Sequence, residues 1–212
     1  TEREVEMDMN EGKVKEVRAN GLLLTIWVDE DPGNPRDYQG IGHMHCFHGR
    51  HQIGDEHGYR DPKHLLVDIL GQVAPEVDPY SMSTGELQEA VEKTGRVVML
   101  PIYLLDHPGL RVSTKSFNDP GDSGRVDWVG WIWALVEGGN PVQTKERLEQ
   151  ILQEEVECYD AWLASEVYSY SLVRESDGEE IDSCVGCWGF ESVKANLELE
   201  GFVGLDDLFK QF

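Results

Sequence analysis

The chain has 212 residues and is 40% hydrophobic, with six Trp, seven Tyr and six Phe, enough to build a core and too much for wholesale disorder. Its 41 acidic against 18 basic residues leave a formal net charge of −23, which argues against direct contact with nucleic acid phosphates or anionic membranes. No apolar run approaches the ~18 residues of a membrane span. No signal-peptide pattern opens the chain, and four cysteines do not suggest a disulfide-stapled scaffold, so a reducing cytoplasm is expected.

Residues 1–12 are read as an acidic N-terminal tail. Lys13–Arg18 alternates and could form a strand, and Gly21–Val28 is a clearer one, closed by Asp29-Glu30-Asp31-Pro32-Gly33. From Asn34 to Asp61 only a short extended stretch near His43–Phe47 is expected. Pro62 suits a first helical turn, with Leu65, Leu66, Ile69 and Leu70 on one face and Gly71 as the stop. Ser83 and Glu86 have capping-box spacing before a second helix ending at Gly95. Val97–Leu105 reads as a strand on which Arg111–Ser116 pairs back, and Asn118–Gly124 as a loop.

Arg125–Val136 reads as a long strand with Trp on both faces. Thr144–Ala164 is the strongest helix, with Leu148, Ile151, Leu152, Val156, Tyr159, Trp162 and Leu163 on one face. Glu166–Arg174 and Glu180–Phe190 form a hairpin about Asp177-Gly178, and Ser192 opens a short C-terminal helix, with FVGLDDLFKQF packing onto the body. The pattern predicts a single α+β domain over residues 13–212, a mainly antiparallel sheet with three to four helices.

Three strings, DYQGIGHMHCFHGRHQIGDE, LPIYLLDHPGLRVSTKSFNDPGDSGRV and EVYSYSLVRESDGEEIDSC, together resemble a family of uncharacterised proteins of phages and other mobile elements. The matching positions are Cys46, His48, Gly54, Asp55, Asp106, His107, Gly109, Ser113, Thr114, Phe117, Asp122, Ser123, Gly124, Asp182 and Cys184. The chain departs from the pattern at Asn118-Asp119-Pro120 and in the Val185-Gly186-Cys187 insertion. The resemblance implies a phage or mobile-element setting and supplies no catalytic roles.

Six of the seven histidines, His43, His45, His48, His51, His57 and His64, lie between residues 43 and 64, with Cys46 among them. Cys184 and Cys187 form a distant C-x-x-C pair. Imidazole and thiolate are zinc ligands, so Cys46, His48, Cys184 and Cys187 would make a closed tetrahedral site, while three histidines would leave a position open for hydrolysis. The plainer alternative is chance clustering and a turn in a hairpin. Gly121-Asp122-Ser123-Gly124 is similar to the nucleophile loop of trypsin-like serine proteases, but its flanks and its short separation from His45 fit that fold badly. No phosphate loop or calcium loop is present.

Acidity is the more informative signal. Residues 146–182 hold twelve acids against Arg147 and Arg174. Glu146, Glu149, Glu154, Glu157 and Asp160 fall on one helix face, where they would bind a partner as a row of phosphates would. Glu155, inside the apolar stripe, is expected at its edge or paired with an arginine. The expected role is a non-catalytic acidic interaction protein, a phage anti-defence inhibitor that mimics nucleic acid and occupies the basic groove of a host nucleic-acid-binding protein. The alternative is a zinc-binding protein or zinc-dependent hydrolase. Solubility or adaptation to high salt would also explain the charge, and an exposed Trp among Trp128, Trp131 and Trp133 would suggest a homodimer or partner face.

Overall fold

The computed structural model describes residues 13–38, 40–106, 109–117, 126–136 and 144–199. In chain order the elements are β1 (Lys13–Ala19), β2 (Leu22–Val28), a 3-10 turn (Pro35–Asp37), β3 (His43–Cys46), α1 (Pro62–Val73), α2 (Thr84–Lys93), β4 (Val97–Asp106) and β5 (Leu110–Ser113). They continue with β6 (Val126–Leu135), α3 (Lys145–Leu163), β7 (Val167–Arg174), β8 (Glu180–Trp188) and α4 (Phe190–Leu199). The fold is α+β, with eight strands in two antiparallel sheets ordered β1-β2-β7-β8 and β3-β6-β4-β5.

The described chain divides into two compact units, residues 13–33 with 161–199 and residues 34–160. No linker composition marks the division, because the chain returns to the first unit within a continuous helix, α3. The acidic tail and the FVGLDDLFKQF segment lie outside the described residues.

In the unit of residues 34–160, α1 begins as its caps dictate. Asp61 accepts the His64 N–H at 2.8 Å, and Pro62 occupies the first turn. The helix runs past Gly71 to Val73, because Val73 is buried and anchors a further turn. The α2 capping box is complete, and Gly95 takes the left-handed backbone (φ +67°) that ends the helix. Leu65, Leu66, Ile69 and Leu70 of α1 pack with Leu87 and Val91 of α2 and with Trp131 and Trp133 of β6. Each fully buried aliphatic side chain contributes about 1.5–3 kcal/mol relative to exposure.

The tryptophans do not divide between two faces of β6. Ile102 pairs with Gly130 and Tyr103 with Trp128, so Val129 is an extra residue in β6. This bulge shifts the alternation by one position and returns Trp128 to the face of Trp131 and Trp133. Trp128 is 42% exposed and meets Trp131 edge-on, with ring centroids 4.7 Å apart. The opposite face buries Met44, Ile102 and Ile132, and Leu152 of α3 approaches Ile132 over Gly42, where a β-carbon would not fit.

In the other unit, β7 pairs with both β2 and β8. Leu24, Ile26, Tyr170, Leu172 and Cys187 form a small core with Val193 and Leu197 of α4. The helix starts at Phe190, two residues ahead of Ser192, since Gly189 (φ +75°) already turns the chain out of β8.

Candidate functional site

Helix α3 opens on Thr144, whose hydroxyl accepts the Arg147 N–H at 3.2 Å. Glu146, Glu149, Glu154 and Glu157 are exposed along it. The Glu146 carboxyl is held below the usual range by hydrogen bonds from its own backbone N–H and from Thr144. Glu154 accepts from Gln150 at 2.8 Å and lies 3.9 Å from Arg147. From Glu146 to Glu157 the row spans about 16 Å of helix axis, at ~1.5 Å per residue.

Asp160 does not extend this row, contrary to expectation. It accepts the Val112 N–H at 2.8 Å and a guanidinium fork from Arg111 at 2.7–3.0 Å, and its side chain is 17% exposed. Its carboxylate is committed to holding β5, through a partner 49 residues upstream that helical phase does not reveal.

Glu155 pairs with an arginine, Arg36, as expected for an acid within an apolar stripe. Its Oε2 accepts from Arg36 at 2.8 Å, and its Oε1 accepts the N–H groups of Ile41 and Gly42 at 2.8 and 3.0 Å. Arg36 also donates to both Asp55 oxygens, at 2.7 and 3.1 Å, and to the Gly42 carbonyl at 2.6 Å. Asp55 in turn accepts the Met44 N–H at 2.7 Å. Burial opposes the charge on Arg36, but Asp55 and Glu155 more than offset it and leave the guanidinium pKa raised. The sequence reading did not single out Arg36. The available signal was that it is the lone Lys or Arg between Arg18 and Arg50.

The histidine-rich segment lines an open cleft of about 490 Å³, bounded by Cys46, His48, Arg50, His51, Asp55 and His57 among others. His45 is buried beneath it and accepts from the Trp133 indole N–H at 3.2 Å, with His57 and Tyr59 packed against its ring. Burial, then the neighbouring His57, pushes the His45 pKa down to about 4. The Cys46 thiol is pushed up to about 12 by burial, which makes it an inert core group, and its carbonyl accepts from His57 Nε2 at 2.9 Å.

His48 and His51 stack in parallel at 5.1 Å, and the His51 N–H donates to His48 Nδ1 at 3.3 Å. His51 Nε2 lies 3.0 Å from Asp106 Oδ1, and Arg50 donates to Asp106 Oδ2 at 2.5 Å. His64 caps the turn at Arg60, whose N–H it accepts at 3.4 Å. Asp106 thus closes the segment onto the end of β4, a pairing the sequence did not disclose.

Of the expected zinc ligands, Cys46 and His48 lie in the unit of residues 34–160, and Cys184 and Cys187 in the other. Among the described residues, no three of His, Cys, Asp and Glu are arranged to hold a metal ion. The loop of Asp122, Ser123 and Gly124, and His107, lie outside the described residues. Among the described residues no helix is long and apolar enough to cross a membrane. No family model, curated protein or solved structure matches the chain.

Proposed function

We propose that the protein acts without catalysis, as an acidic interaction protein that presents α3 to the basic groove of a nucleic-acid-binding protein. The observation that carries this reading is the row Glu146, Glu149, Glu154 and Glu157, exposed along a single helix. The other acids at this level, Glu155 and Asp160, are consumed by Arg36 and Arg111. A rigid helix holds such carboxylates without the ordering cost that a disordered acidic segment meets on binding. The field of a net charge of −23 adds long-range attraction to a cationic partner, screened over ~8 Å at physiological salt. A phage or mobile-element setting, with a host defence protein as target, is the context we propose for this activity.

The test uses the tagged full chain on beads with a bacterial lysate. A nucleic-acid-binding protein should be captured, released as salt rises, and displaced by added duplex DNA, because both ligands claim one groove. Glu149→Lys, Glu154→Lys and Glu157→Lys together should cut capture by about tenfold or more, with far-UV circular dichroism unchanged. Glu146 is left intact because it supports the first turn of α3. Equal capture by the triple variant, or a target that binds DNA and this protein simultaneously, would refute the proposal.

A further inference from the structure

The C-x-x-C pair lies in β8, where residues three apart on a regular strand face opposite sides of the sheet. Here they do not. Tyr168 pairs with Cys187 and Tyr170 with Cys184, so three steps along β8 match two along β7. The extra residue is accommodated at Val185-Gly186, where Gly186 adopts φ +70° and Val185 is pushed outward to 78% exposure. The bulge turns both thiols onto one face, beneath α4.

There Asn196 Nδ2 lies 3.6 Å from each sulfur. One amide nitrogen within 3.6 Å of both sulfurs brings the two thiols to a single spot beneath α4. Cys187 is 2% exposed within the core of Leu24, Ile26, Tyr170 and Val193, while Cys184 is only partly buried at its edge.

We propose that Cys184 and Cys187 form a dithiol site that closes to an intramolecular disulfide by exchange with a low-molecular-weight disulfide. Cys184, the reachable thiol, loses its proton and attacks one sulfur of R–S–S–R. The S–S bond breaks, a mixed disulfide forms on Cys184, and the first thiolate leaves and takes up that proton. Cys187 then gives up its proton and attacks Cys184 Sγ, breaking the mixed bond and releasing the second R–SH. The two protein thiols lose two electrons, the small disulfide gains them, and both protons end on the departing thiols.

Burial, and then Cys184, raises the Cys187 thiol to about 12. Two uncompensated thiolates would be costly in this apolar setting, whereas a disulfide carries no charge. Among the described residues no further ligand completes a metal site.

The experiment equilibrates the reduced full chain with reduced and oxidised glutathione over a range of ratios, then quenches with acid and alkylates after denaturation. Before alkylation, intact mass should fall by two hydrogens as oxidised glutathione rises; after it, Cys184 and Cys187 should be protected and Cys46 and Cys158 alkylated. Cys187→Ser should stop at a glutathione adduct on Cys184, and Cys184→Ser should give neither adduct nor closure. The proposal is overturned if all four cysteines stay alkylatable at full oxidation, if a bridge includes Cys46 or Cys158, or if Cys187→Ser gives no adduct at Cys184.

Discussion

Replacing Arg36 by methionine keeps most of the side chain's volume and removes its charge and all five donors. Asp55 and Glu155, whose side chains are 22% and 16% exposed, would then face each other without the cation between them. Four hydrogen bonds from the guanidinium are lost, three of them to carboxylates. Removing one side of a buried ion pair costs about 3–5 kcal/mol, mostly because the surviving charge is left uncompensated. With two carboxylates stranded, the upper part of that range applies. Against a total stability of ~5–15 kcal/mol this is a large fraction. At ~2–4 °C per kcal/mol for a chain of this size, it corresponds to a Tm lower by about 8–20 °C.

Urea unfolding followed by tryptophan fluorescence reads the loss, since Trp131 and Trp133 are buried in the same unit. Glu155→Gln completes a double-mutant cycle, and Arg36→Met should cost less in that background than in the parent chain. A loss below ~1 kcal/mol for Arg36→Met, or additivity of the two substitutions within ~0.5 kcal/mol, would refute the account.

Two further perturbations probe the same unit. An alanine at Gly130 would place its β-carbon 2.1 Å from the His45 carbonyl oxygen and 2.9 Å from Cys46 Cα, both backbone atoms of β3. Gly130→Ala should therefore separate β3 from β6 and cost at least ~2–3 kcal/mol, read as a lower urea midpoint; an unchanged midpoint would show that the strands accommodate it. His45 is held neutral in the folded protein with a pKa of about 4, below its unfolded value near ~6.5, so its contribution is fully present above pH ~6.5. That contribution is lost as pH falls toward 4 and amounts to about 3 kcal/mol at most, at ~1.4 kcal/mol per pH unit. His45→Gln should flatten the fall in stability between pH 7 and 5; an identical slope in both proteins would locate the dependence elsewhere.

Local chemistry was readable from the sequence. The α2 capping box, the Pro62 start of α1 and the long amphipathic α3 all depend on neighbours within one helical turn, and all stand where their residues place them. Two kinds of information were not local. The bulges at Val129 and at Val185-Gly186 depend on which partner strand a segment meets, and each reverses the side assigned by simple alternation. Long-range pairs were equally hidden: the helical wheel put Asp160 beside Glu157, yet Arg111 binds it, and Arg36 joins two acids that are 100 residues apart. The exposed row Glu146–Glu157 was legible because solvent, not a partner, decides its surroundings.

The division of the chain also fixes an order of events on the ribosome. β1 and β2 leave as a hairpin, but β2's other partner, β7, begins 139 residues after Val28. At ~5–20 residues per second that is a wait of about 7–28 s. During it the whole of residues 34–160 emerges as one uninterrupted stretch, holding every pairing of the β3-β6-β4-β5 sheet. Meanwhile β2 offers Leu24 and Ile26 on an unpaired edge, the condition under which nascent strands associate wrongly. Slowing elongation downstream of α3 would lengthen that exposure without touching a residue of the hairpin, so the yield of this protein should depend on translation rate through the β1-β2 pair.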